Sequence, residues 1–133
     1  MIIDCHCHAG KGDGMTDPWN TDAPLGSYLR RARRAGIGRT IVFPAFHSDY
    51  AKANGQLAAL VRKYDPHLIG FAFVHCARDA GRIGPMVERA VRHWNFRGIK
   101  VHAADAAPSR EVCEAARRLR VPLLVALAAT RRW

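Results

Sequence analysis

Short apolar runs that alternate with stretches of helical period constrain this chain more than any other feature. Residues 2–4, 39–43, 68–74, 97–101 and 121–127 read as strands, each an apolar or β-branched run. Between them lie four helical stretches. Pro24 opens the first, which carries Leu25, Leu29 and Ala32 and is stopped by Gly36. The second covers 50–64, with Ala53, Leu57, Leu60, Val61 and Tyr64 at the 3.6 period and Pro66 just beyond. The third has the cleanest stripe, with Ile83, Met86, Val87, Ala90, Val91 and Trp94 on one face. Ser109 caps the fourth, whose face is Val112, Ala115, Ala116 and Leu119. Strands that alternate with helices build a parallel sheet through right-handed crossovers, so the class is α/β.

The first strand runs straight into Asp4-Cys5-His6-Cys7-His8. Side chains alternate faces along a strand, so strict alternation puts His6 and His8 on one face with Asp4 beneath them, and Cys5 and Cys7 on the other. Two imidazoles converging at a strand end form a half-site for a divalent metal. A single strand cannot aim all of Cys5, His6, Cys7 and His8 at one ion, so a soft four-ligand site ranks below the two-histidine one. No Gly-x-Gly-x-x-Gly or phosphate-loop pattern follows this strand.

Polar residues collect at the ends of the other strands as well: His47, His75, Lys100 and His102. In a (β/α) barrel, the carboxyl ends of the strands are where active sites are built. Parity places Gly98, Lys100 and His102 on one face of their strand and Ile99 and Val101 on the other. A lysine inside a strand is costly to bury without a partner, and a metal-bound water or a carboxylate would be such a partner. His47 and His75 read equally as packing or loop histidines, and Cys76 and Cys113 as packing residues.

The net charge of +10 invites a nucleic-acid reading, but its distribution argues against one. The arginines are scattered along the helices among alanines, with no helix-turn-helix, zinc-finger or base-stacking pattern. The longest apolar run, 121–129, is too short to span a membrane. The N-terminus lacks the pattern of a secretory signal, and no cysteine spacing suggests a disulfide framework. These features set the expectation of a cytoplasmic location, reduced thiols, a small-molecule substrate, no nucleic acid and no membrane.

These residues resemble a known family. Ile3-Asp4-Cys5-His6-Cys7-His8 resembles the Ile-Asp-x-His-x-His opening of the amidohydrolase superfamily. Phe96-Arg97-Gly98-Ile99-Lys100-Val101-His102 resembles the fourth strand of its amidohydrolase-related branch, and 68–74 resembles the third. The resemblance implies a TIM-barrel type of fold with a divalent metal, usually zinc, at its mouth and His6 and His8 as ligands. It further implies a metal-activated water that attacks a small carbonyl, amide, lactone or carboxylic-acid substrate. Lys100 matches a position that bridges metals in some binuclear members, and His102 stands where a substrate-orienting group would be, so these two are the catalytic candidates.

The departures matter too. The family's later histidines and its eighth-strand aspartate have no counterpart, and the 133 residues are about half of a full barrel. The expectation is therefore a single partial (β/α)-barrel domain over 1–133, with about five strands and four helices. It corresponds to the N-terminal half of the family's fold and has doubtful activity alone. Open sheet edges would favour a homo-oligomer or pairing with a missing barrel half. The competing reading is a non-catalytic α/β binding or assembly module whose histidines are incidental.

Overall fold

A computed structural model describes residues 1–14 and 22–127. Its elements run β1 (Ile2–Lys11), β2 (Asp22–Ala23), α1 (Leu25–Arg34), β3 (Ile37–Pro44), α2 (Tyr50–Lys63), β4 (Leu68–Phe73), α3 (Ile83–Trp94), β5 (Gly98–His102), α4 (Arg110–Leu119) and β6 (Leu123–Ala126). The alternation expected from the sequence is present, and the fold is α/β, of the incomplete (β/α)-barrel type. The strand that the sequence did not reveal is β2, two residues paired antiparallel with Gly10 and Lys11. It has no apolar run to announce it. Within 10–22, Gly10, Lys11 and Asp22 are strand, and residues 15–21 lie outside the described ones.

The chain forms two compact units, 1–71 and 72–133, and β4 crosses the boundary between them. In the first unit the strands follow the order β2-β1-β3-β4, and the pairs β1–β3 and β3–β4 are parallel. Helix α1 buries Leu25 and Ala32, two members of the stripe expected for it. Gly36, at φ +76°, makes the turn from α1 into β3, a backbone geometry that side chains disfavour. Helix α2 starts on Asp49, whose carboxylate accepts the Lys52 N–H at 3.2 Å, and it buries Tyr50, Ala53, Leu57 and Ala58. Register puts Ile41, paired with Ile69, on the face opposite Val42, paired with Cys7 and Gly70.

In the second unit, the Val74 N–H just past β4 donates to the Lys100 carbonyl at 3.1 Å, and β5 runs parallel to β6. Ile83, Val87, Ile99, Val101, Val112 and Ala115 form its core, together with Val74 and Cys76. The stripes of α3 and α4 thus close on the Ile99/Val101 face of β5, as parity required. Helix α3 ends on Asn95 in the left-handed conformation, φ 57°, a residue type that tolerates it. The Ser109 hydroxyl accepts the Val112 N–H at 3.3 Å and caps α4, as expected. Cys76 is a core residue, but Cys113 is exposed, because it sits one position off the α4 stripe. No described helix is long and apolar enough to cross a membrane.

Candidate metal-binding site

The first strand does not keep the simple alternation read from its sequence. Asp4 pairs with Thr40 and Cys7 with Val42, so three steps along β1 match two along β3. The extra residue is a bulge at Cys5–His6. Thr40 and Val42 lie two apart and share a face, so Asp4 and Cys7 share it as well. His8, paired with Phe43, lies on the opposite face. The expectation that Asp4 lies beneath the two histidines, with Cys7 turned away from it, is therefore corrected by one inserted residue.

Helix α1 covers the Asp4 face. The Tyr28 hydroxyl donates to Asp4 Oδ2 at 2.7 Å and lies 2.8 Å from the Thr40 hydroxyl. The other Asp4 oxygen accepts the His6 backbone N–H at 3.0 Å. Burial, joined by the Asp4 carboxylate, pushes the Tyr28 phenol up to about 12, against an opposing contribution from its bond with Thr40. Burial first, and the Asp4 charge second, push the Cys7 thiol up to about 11. The bulge puts Cys7 on the Asp4 face, opposite His8, so the four side chains of the soft site do not share one face of the strand.

His6 and His8 stay together in spite of the bulge. Their ring centroids are 5.6 Å apart, and both meet the Phe43 ring edge-on, at 5.0 Å and 4.6 Å. The Phe46 ring flanks His8 at 5.2 Å. His8 Nδ1 lies 2.9 Å from the Pro44 carbonyl oxygen. A carbonyl only accepts, so this contact assigns a proton to Nδ1 and puts the lone pair of the neutral ring on Nε2. His6 is exposed and His8 half-buried, so the pair faces accessible space; both lie midway along β1, which continues to Lys11, and not at a strand end as expected. Two imidazoles supply at most two of the four donors that a tetrahedral ion takes. Among the described residues, no group of three His, Cys, Asp or Glu side chains is placed to hold a metal.

His47 and His75 have the opposite proton arrangement to His8. His47 is buried, and its Nδ1 accepts the Asp49 N–H at 2.9 Å. The Asp13 carboxylate lies 3.5 Å from the same nitrogen and takes both the N–H and the hydroxyl of Ser48. His75 Nδ1 accepts the Arg78 N–H at 3.1 Å. With Nδ1 used as an acceptor, the proton of a neutral ring sits on Nε2, which then has no lone pair for a metal. Both residues act as turn-building histidines at strand ends. The buried Asp79 carboxylate does similar work, accepting the His75 N–H at 2.9 Å and Arg82 at 2.7 Å.

The remaining candidates lie on β5 in the second unit. Lys100 is fully buried, not an exposed edge residue, and burial lowers its pKa below the ordinary lysine value. It occupies the face opposite Ile99 and Val101, which belong to the helix-side core. His102 follows on the Lys100 face, and its Nδ1 lies 3.0 Å from Asp105. The structure thus joins His6 with His8 in one unit and aligns Lys100 with His102 in the other. Sequence reasoning missed Tyr28, Thr40, Phe43 and Pro44. Tyr28 lies three residues after Leu25, on the stripe that α1 buries, so its spacing was a usable signal. The Pro44 carbonyl carried none.

No protein-family profile matches the chain, and no curated protein sequence does. One solved structure is similar over 93% of this chain with a TM-score of 0.67: a probable 2-pyrone-4,6-dicarboxylic acid hydrolase from Acinetobacter baumannii, crystallised with citric acid bound. The identity is 14%, so the likeness is one of fold. This chain spans 48% of that protein's length, about half.

Proposed function

We propose that this chain carries the first-strand part of a metal-dependent hydrolase site of the amidohydrolase-related kind. In this reading His6 and His8 hold one divalent metal, zinc before others, since two imidazoles suit zinc. The observation that carries it is the Pro44 carbonyl on His8 Nδ1, which turns the Nε2 lone pair into a ligand while His6 stands beside it. The fold it shares with half of a probable hydrolase supports the same reading. Zinc, when bound, supplies a Lewis acid and lowers the pKa of a water to about 7.

The chain's own residues then have separate tasks. Phe43 and Phe46 wall the imidazoles on their apolar side. In the second unit, His102, whose Nδ1 lies 3.0 Å from the Asp105 carboxylate, is the candidate hydrogen-bond partner for a substrate. Lys100, buried on the same face of β5 as His102, is the candidate in that unit for orienting a polar substrate group. The substrate class is a small carbonyl, amide, lactone or carboxylic acid, and a lyase reaction on an acid of this class falls within the proposal. The remaining donors would come from water, a second copy or a complementary barrel half. Full activity is proposed only for that completed site.

The test is metal content per chain, by elemental mass spectrometry on monodisperse protein. About one zinc, manganese or iron ion that disappears in the His6→Ala/His8→Ala variant is the expected result. Metal that survives the double substitution, or none in the wild type, sinks the site. The latter outcome leaves the second reading, a non-catalytic α/β binding module. That reading is favoured by the lack of a third protein donor among the described residues.

A further inference from the structure

The Asp4-Tyr28-Thr40 cluster meets the backbone at the residue where β1 departs from regular pairing. Each Asp4 oxygen has a task. Oδ1 accepts the N–H of His6, two residues ahead, at 3.0 Å, and Oδ2 accepts the Tyr28 hydroxyl at 2.7 Å. The bond to His6 closes a side-chain turn of the kind Asp makes over its own backbone. In a regular parallel pair the His6 position would follow the alternation of β1. Here the turn holds it inside the bulge between the Asp4–Thr40 and Cys7–Val42 pairs.

Tyr28 locks the carboxylate from the other side. Its hydroxyl also lies 2.8 Å from the Thr40 hydroxyl, and Thr40 is the register partner of Asp4 on β3. Thr40 is buried, so the lock is tied to the strand next door as well as to α1. The consequence appears on the opposite face. His8 pairs with Phe43 in ordinary register, and the displaced His6 brings its ring to Phe43 as well.

We propose that Asp4, Tyr28 and Thr40 form a clasp that sets the β1 bulge and thereby places His6 beside His8, making Asp4 and Tyr28 positioning residues for the imidazole pair. The use of that pair for metal rests on the function proposed above, whereas the placement itself can be tested without metal. The chemistry requires a rigid acceptor at residue 4 and a hydroxyl donor from α1. It does not require a negative charge. An Asp4→Asn side chain would still accept the His6 N–H through its oxygen, and its amide would donate to the Tyr28 oxygen while Tyr28 turns its proton to Thr40.

The decisive experiment compares wild type, Asp4→Ala, Asp4→Asn and Tyr28→Phe by NMR in metal-free buffer, with zinc titration alongside. In Asp4→Ala the His6 amide should exchange about tenfold faster, and the NOEs from the His6 ring to Phe43 should weaken while those of His8 persist. Asp4→Asn should restore both signals, and Tyr28→Phe should fall between. A Ser109→Ala variant, which loosens the α4 cap in the other unit, controls for general destabilisation and should leave these signals unchanged.

Zinc affinity should drop by roughly 10- to 100-fold in Asp4→Ala, the range for lost supporting contacts around a ligand histidine. Unchanged His6 exchange and NOEs in Asp4→Ala would overturn the clasp. Unaltered zinc affinity in a variant whose His6 ring had moved would uphold the clasp and overturn the use of the pair for metal. Wild-type protein that binds no zinc while Asp4→Ala still releases His6 would uphold the clasp and overturn the metal reading, so the two failures are distinguishable.

Discussion

A single phenol shows how much of this chain's chemistry is set by partners in space. Tyr28 donates to a carboxylate and is partly buried, so its ionised form is disfavoured on both counts and its pKa rises to about 12 from an ordinary 10.0. The linkage has a definite sign. A group whose pKa is raised by folding contributes stability that is complete below its unfolded value and is lost as pH climbs through the folded one. Denaturant midpoints followed from pH 8 to 12 should therefore stay level with respect to this group up to about pH 10 and then fall toward pH 12. Tyr28→Phe should remove that part of the alkaline fall. The same variant should cost about 1–2 kcal/mol at neutral pH, because it withdraws one donor from Asp4 and leaves Thr40 with one partner fewer. An alkaline profile that Tyr28→Phe leaves unchanged would rule out this assignment.

At the scale of elements, legibility followed the regularity of the local period. The α3 stripe spans Ile83–Trp94 as read, and Ser109 caps α4 as read, because a 3.6 period and a cap hydroxyl are local signals. The parity of β5 held for the same reason, with Ile99 and Val101 in the core and Lys100 on the other face. Parity failed on β1, where the sequence gives no sign that Asp4 will bond forward to the His6 N–H and draw an extra residue into the strand. The bulge shifted Asp4 and Cys7 to the α1 face but left His6 beside His8, so the proximity of the two histidines was legible and the residues that support it were not. Two consequences can be measured by denaturant unfolding. Ile83→Ala, at a fully buried position, should cost about 2–5 kcal/mol. Ser109→Ala should cost about 1 kcal/mol, the value of an N-cap hydroxyl. A larger loss from the cap than from the core would contradict the packing described for this unit.

For the whole molecule, the question is how far a bound ion would be felt. The chain divides into two compact units, and both histidines of the proposed pair lie in the first. A ligand that binds only the folded form stabilises it in proportion to the logarithm of its saturation, about 2.7 kcal/mol at a hundred times its dissociation constant. If His6 and His8 are the protein's ligands, that gain enters through β1 and through Pro44 at the end of β3. Hydrogen exchange with and without zinc should then show slowed amides across β1 and β3, by up to about a hundredfold where exchange requires that unit to unfold. The amides of α3, α4 and β6 should change little, because none of these elements supplies a proposed ligand. The His6→Ala/His8→Ala variant should show no zinc effect in either unit. Equal protection of β5 and β6 in the wild type would mean that exchange in the second unit requires the first to unfold as well. Protection confined to β5 and β6, with β1 and β3 unchanged, would overturn the His6–His8 pair as the point where the ion binds, because neither histidine lies on those strands.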